Sequence, residues 1–174
     1  SLTKSSYYEE TGLNAYPWEE TVKVMNPLSA DLGVMRQTLL FGGLESIVRN
    51  VNRKAQNLRF FEVGNVYKFN KEKWSEESPV KAYSQDYHMA LWVTGKRVQG
   101  SWAHPDEESS FYELKAHVEN ILRRICLPVG LFYSKQSDNN IFDKAIALKL
   151  VVAGRYKWIK SVVVEMGILN HKLL

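Results

Sequence analysis

A chain of 174 residues with 45% hydrophobic and 24% charged residues has a globular mix and the length of one ordinary domain. Its net charge of +4 and pI near 9.1 permit contact with RNA without demanding it. One cysteine, Cys126, excludes an internal disulfide and fits a reducing compartment; no apolar run reaches the ~20 residues of a membrane helix, and the start carries no secretory pattern.

In chain order, Ser5 to Glu10 reads as a short helix ended by Gly12, and Val22 to Met25 as an extended run stopped by Asn26-Pro27. Thr38 to Lys54 is predicted helical, because Leu40, Leu44, Ile47, Val48 and Val51 recur at spacings of three and four. Gly42-Gly43 weakens that helix by roughly 1 kcal/mol per glycine. Leu58 to Val63 and Val66 to Phe69 read as two strands, with a turn or bulge at Gly64-Asn65. Lys71 to Pro79 is a charged loop, and Tyr87 to Thr94 a strand closed by Gly95.

Ser109 to Cys126 has the strongest helical pattern. Phe111, Leu114, Val118, Ile121, Leu122 and Ile125 form one apolar stripe, Ser110-x-x-Glu113 has the form of a capping box, and Pro128-x-Gly130 ends it. Leu131 to Tyr133, Ala145 to Val152 and Trp158 to Glu165 read as strands, the last two joined in a hairpin at Gly154-Arg155. The alternation predicts an α/β (α+β) domain in which an antiparallel sheet carries helices on one face. The chain starts without a methionine and stops just after a strand pattern, so the expectation is one module, residues 1–174, cut from a longer polypeptide.

Three ordered blocks carry a resemblance. The first runs from Asn26-Pro27-Leu28-Ser29 through Met35-Arg36-Gln37-Thr38-Leu39-Leu40 to Phe60-Phe61-Glu62-Val63-Gly64-Asn65-Val66-Tyr67. The second is Ser101-Trp102 followed by Phe111-Tyr112-Glu113-Leu114-Lys115 and Val118-Glu119; the third is Met166-Gly167-Ile168-Leu169-Asn170-His171. Together they resemble the core-like module of the bacterial phenylalanyl-tRNA synthetase beta subunit, over nearly the whole chain. The resemblance implies a class II aminoacyl-tRNA synthetase core-like fold and a cytoplasmic, non-catalytic role supporting the alpha subunit, which attaches phenylalanine to tRNA. It implies the alpha subunit and a second beta subunit as partners in an (αβ)2 assembly, with tRNA as a further partner and no membrane. ATP and magnesium are implied for the whole enzyme, with neither bound by this piece.

The chemistry expected at a live adenylating site is arginine-based, since a guanidinium fork binds phosphate oxygens in pairs. Where the catalytic subunit of the family carries Gly-Arg-Val-aromatic-Arg, this chain has Gly64-Asn65-Val66-Tyr67-Lys68, and no Gly-rich arginine motif follows. No catalytic, cofactor-binding or metal residue is therefore assigned. Asn26, Pro27, Arg36, Glu62 and Gly64 are expected to act through structure. Asn26-Pro27 would set a turn, Gly64 would take a backbone conformation that a Cβ strains, and Arg36 and Glu62 would pair.

The remaining candidates carry bland readings. His88, His104, His117 and His171 lack metal-ligand spacing, with His104 placed in a loop and His117 on a half-exposed helix face. Asp106-Glu107-Glu108 reads as a solvated charge run, and Cys126 as a buried structural thiol. Two basic groups, Arg49, Arg53, Lys54 and Arg59, and Lys144, Lys149, Arg155, Lys157 and Lys160, carry the alternative reading, a module that contacts the tRNA backbone directly.

Overall fold

The computed structural model describes residues 2–9, 13–27, 29–127, 132–150 and 162–170, with the backbone alone for residues 30, 144–150 and 162. The chain divides into two compact units, Ser1–Gly95 and Lys96–Leu174.

The first unit opens with strand β1 (Leu2–Thr3) and helix α1 (Ser6–Glu9). Strand β2 (Val34–Met35) pairs antiparallel with β1, and the Met35 and Val24 amides donate to the Val22 and Gly33 carbonyls. This pairing makes the predicted extended run of Val22 to Met25 one side of a short ladder. Helix α2 (Leu40–Val51) follows, shorter than predicted at both ends. It buries Phe41, Leu44 and Ile47, worth about 1.5–3 kcal/mol each. Tyr7 of α1 stacks on Phe41 at 4.5 Å, and Tyr8 meets the same ring edge-on at 5.5 Å.

Strand β3 (Leu58–Phe69) runs unbroken through Gly64 and pairs along its length with β4 (Tyr83–Thr94), which begins four residues before the predicted strand. The turn or bulge expected at Gly64-Asn65 is absent: Gly64 faces His88 and Asn65 faces Tyr87 in regular register. Two short 3-10 turns, Lys71–Lys73 and Pro79–Ala82, lie in the connection. Trp92 of β4 explains Gly43 in α2, since a Cβ there would lie 2.1 Å from the indole ring. Gly95 ends β4 at φ +70°, a conformation open to glycine without strain.

The second unit holds β5 (Lys96–Val98) paired with β6 (Glu107–Glu108), then helix α3 (Phe111–Arg124). Strands β7 (Phe132–Gln136), β8 (Phe142–Leu150) and β9 (Val162–Leu169) form an antiparallel sheet in the order β7-β8-β9. Helix α3 packs against β9, and Val118, Leu122, Ile141 and Met166 are buried. The Ser110 half of the predicted capping box does not form: Ser110 is the N-cap, but its side chain makes no cap bond, and its carbonyl accepts from the Glu113 and Leu114 amides. The hairpin tip at Gly154-Arg155 lies outside the described residues, as do Gly12, Pro128-x-Gly130 and His171.

Strand pairing is antiparallel throughout the described residues, as expected. It is divided among four small sheets, however, and does not form the one sheet predicted. The fold is mixed α/β. Both long helices end in a Schellman arrangement on a non-glycine residue. Lys54 (φ 66°) and Cys126 (φ 60°) take the left-handed position, and the next amides reach back to Asn50 O at 3.0 Å and Leu122 O at 2.9 Å.

Candidate functional site

Arg36 organises a polar cluster in the first unit. Its main-chain oxygen accepts from the Tyr67 amide at 2.9 Å, which lays residue 36 beside β3. From there the guanidinium Nε donates to Asn65 O at 2.9 Å and Nη1 to Glu62 Oε1 at 2.5 Å. The pairing expected of Arg36 and Glu62 is thus present, and it is largely shielded, with side chains 18% and 35% exposed. Glu62 and Gly64 project from the same face of β3, two residues apart, so the guanidinium lies across Gly64. A Cβ at Gly64 would sit 2.3 Å from Arg36 Nη2. The glycine is required by this close approach and not by its own backbone conformation, which corrects the expected reason. Glu62 Oε2 also lies near the first turn of α2, 3.7 Å from where a Cβ on Gly42 would be, a favourable place for a carboxylate.

Asn26 and Pro27 take no part in these contacts. They sit exposed in the connection between Val24 and Gly33, where the chain reverses.

An open cleft of about 170 Å³ lies beside this cluster, lined by β1, Lys4, Asp31, Leu32, Arg36, Thr38, Gly42 and Glu45. Its charges are matched: Lys4 lies 3.9 Å from Asp31, Arg36 holds Glu62, and Glu45 accepts from the Tyr7 hydroxyl. Burial, then the Glu45 bond, pushes the Tyr7 hydroxyl up to about 12. Below, Tyr8 and Gln37 tie α1 to the chain entering α2. The Gln37 amide donates to Tyr8 Oη at 3.0 Å, and the Gln37 side chain donates to Thr21 Oγ1 and Pro17 O. No sequence signal marked this pair.

At the positions where the resemblance places phosphate-binding arginines, Asn65 offers its carbonyl to Arg36, and Lys68 Nζ is 3.0 Å from Glu20 Oε2.

The opposite face of β3–β4 is apolar and open. Directly opposed residues of an antiparallel pair share a face. Phe61, Val63 and Asn65 of β3 therefore lie beside Leu91, Met89 and Tyr87 of β4. Phe61 and Tyr87 are 70% and 73% exposed, and Val63 and Met89 nearly half.

In the second unit Asp106, Glu107 and Glu108 are exposed, as a solvated charge run should be, and Asp106 also serves the loop. Its carboxylate accepts from the Gly100 amide and from Lys96 Nζ at 2.5 Å, which closes the loop between β5 and β6. Those two bonds hold the Asp106 carboxyl below its usual range, and the Lys96 ammonium is raised in turn. The spacing of Gly100 and Asp106 was too weak a signal to find this.

His104 lies in that loop, His117 is half exposed beside Glu113 at 3.8 Å, and His88 faces Gly64 across the ladder. Cys126 is exposed, because it occupies the left-handed position after α3; the buried-thiol expectation is corrected. Arg59 donates to the carbonyls of Leu58 and Thr94, while Arg49, Arg53 and Lys54 are exposed around the end of α2. The side chains of the second basic group lie outside the described residues. Among the described residues no three His, Cys, Asp or Glu side chains group as metal ligands, and no helix is long and apolar enough to cross a membrane.

Comparison with known proteins agrees with the motif order. The family model described as the phenylalanyl tRNA synthetase beta chain CLM domain matches residues 1–174. The phenylalanine–tRNA ligase beta subunit of Bacteroides thetaiotaomicron is 49% identical over 174 residues, all of this chain and 20% of that protein. Those of Bacteroides fragilis and Porphyromonas gingivalis are 52% and 46% identical over 85% and 86% of this chain, and 18% of each relative. The chain thus spans about one fifth of the length of these relatives. It belongs to the phenylalanyl-tRNA synthetase beta chain CLM domain family.

Proposed function

We propose that this chain is a non-catalytic, class II core-like module of a phenylalanine–tRNA ligase beta subunit, and that it supports assembly with the catalytic alpha subunit. The observation that carries this reading is the open apolar face of β3–β4, with Phe61, Val63, Tyr87 and Met89 exposed together. Apolar side chains exposed side by side on one face, as distinct from scattered single ones, mark interaction sites.

Loss of catalysis is supported by Lys68, paired with Glu20, and by Asn65, which brings no charge. In this reading ATP and magnesium are handled by the catalytic subunit, the assembly is (αβ)2 and cytoplasmic, and residues 1–174 form one functional module. Asn26, Pro27, Arg36, Glu62 and Gly64 then serve the fold of that module.

The test is co-expression of the full-length beta subunit with its cognate alpha subunit. Replacing Phe61 and Tyr87 together by Ser lowers co-purified alpha subunit at least tenfold, and tRNA charging with it. The melting temperature of the free subunit stays unchanged, because both side chains are exposed. Undiminished co-purification refutes the reading. Direct gripping of tRNA rests on Arg49, Arg53 and Lys54, exposed at the end of α2. It is distinguished by tRNA binding to the beta subunit alone that weakens steeply with salt and on replacement of these three residues.

A further inference from the structure

The loop between β5 and β6 is built to present one side chain. Trp102, at its tip, is 99% exposed. The four residues Ser101 to His104 form a tight reversal: the Ser101 amide donates to His104 O at 2.9 Å, and the Ala103 amide to Ser101 Oγ at 3.3 Å. Beneath it Asp106 ties the two arms together, accepting from the Gly100 amide on one side and from Lys96 on the other. Gly100 suits this closure, because a Cβ would lie 2.9 Å from Asp106 Oδ1 and 3.1 Å from the Asp106 amide and would press the bridge open.

A fully exposed indole offers one of the largest apolar surfaces of any side chain, about 250 Å². Tryptophan is the residue type most enriched among interface anchors. Because the loop is closed before any partner arrives, seating Trp102 requires little further ordering of the backbone. The surroundings choose the partner. Between residues 96 and 108 two cations, Lys96 and Arg97, stand against three carboxylates, Asp106, Glu107 and Glu108. That balance offers a polyphosphate backbone no basic patch to engage, so the occupant is protein, with an apolar socket rimmed by Lys or Arg. The size of the anchor chooses further. One side chain on a small loop is far below the ~1,200 Å² of a stable interface between separate proteins. It suffices where the socket is covalently tethered and its effective concentration is high.

We propose that Trp102 is an intramolecular docking anchor, seated in an apolar, basic-rimmed socket of the same beta subunit outside this segment. The proposal rests on reading the chain as one fifth of such a subunit.

Hydroxyl-radical footprinting of the full-length beta subunit, alone in solution, tests it without a substitution. Trp102 oxidises at least tenfold more slowly than a free tryptophan amide standard, whereas half-exposed Trp74 stays within a few-fold of it. Oxidation of Trp102 at the rate of the standard overturns the proposal, as does protection that arises only on adding alpha subunit or only on adding tRNA. A photo-crosslinking p-benzoylphenylalanine at position 102 then locates the socket. Crosslinks within the same polypeptide, outside this segment, are expected; crosslinks to the alpha subunit, to RNA or back into this segment refute it. Failure of the alpha-assembly reading is read separately, from co-purification.

Discussion

Gly42 and Gly43 are adjacent in the first turn of α2, and the same substitution at each has opposite consequences. Helix propensity favours alanine at both by about 1 kcal/mol. At Gly42, exposed, the new methyl meets nothing closer than Glu62 Oε2 at 3.7 Å, an ordinary contact, so Gly42→Ala stabilises by about 0.5–1 kcal/mol. At Gly43 the methyl lands 2.1–2.7 Å from three atoms of the Trp92 indole. That ring is buried and lies opposite Phe60 in the ladder, so relief requires α2 to shift from the sheet. Overpacking of this kind costs typically 1–3 kcal/mol, here at the upper end. Set against the propensity gain, Gly43→Ala destabilises by about 2 kcal/mol. For a unit of some 95 residues, each kcal/mol moves the midpoint by roughly 4–8 °C, so the two variants melt on the order of 10 °C apart, on either side of the parent. Thermal unfolding followed by circular dichroism and Trp fluorescence reads this. Midpoints shifted in the same direction and by equal amounts refute the argument that Trp92, and not a helix-start preference, explains Gly43.

Three further outcomes follow from the same geometry. In a double-mutant cycle of Arg36→Met and Glu62→Gln, monitored by urea unfolding, the coupling is about 1–2 kcal/mol, and a value within error of zero refutes a stabilising pair. Lys54→Gly and Cys126→Gly each raise stability by about 1 kcal/mol, since each removes a Cβ from a left-handed position, and Cys126 reacts with a thiol reagent in the folded protein; loss of stability in either variant refutes the assignment. The Asp106 carboxyl is held below its usual value, so the loop closure it supports is complete above the ordinary carboxylate range and is lost as pH falls through the lowered value. An NMR titration of the Gly100 amide has its midpoint below that ordinary range, and a midpoint at or above it contradicts the closure.

What the chain itself made legible was whatever depends on near neighbours in sequence. Leucine, isoleucine and valine at spacings of three and four located α2 and α3, because a helix face is a local repeat. The ordered blocks from Asn26 to Asn170 located the family, and the lone charges Arg36 and Glu62, each in an apolar stretch, pointed to one another. Tertiary structure decided what depends on distant neighbours. Gly64 read as a break, yet β3 runs straight through it, because the glycine makes room for a guanidinium 28 positions earlier in the chain. Gly43 read as a weakness in a helix and is room for Trp92, 49 positions later. Cys126 read as the end of an apolar stripe, but the helix ends at Arg124, two residues before it, and Cys126 lies exposed in the left-handed position beyond. The apolar face of β3–β4 and the closed loop under Trp102 are likewise products of strand register and of a single carboxylate bridging two arms. Periodicity reports which residues face together along one element; which element that face then meets is set by packing, and no local pattern encodes it.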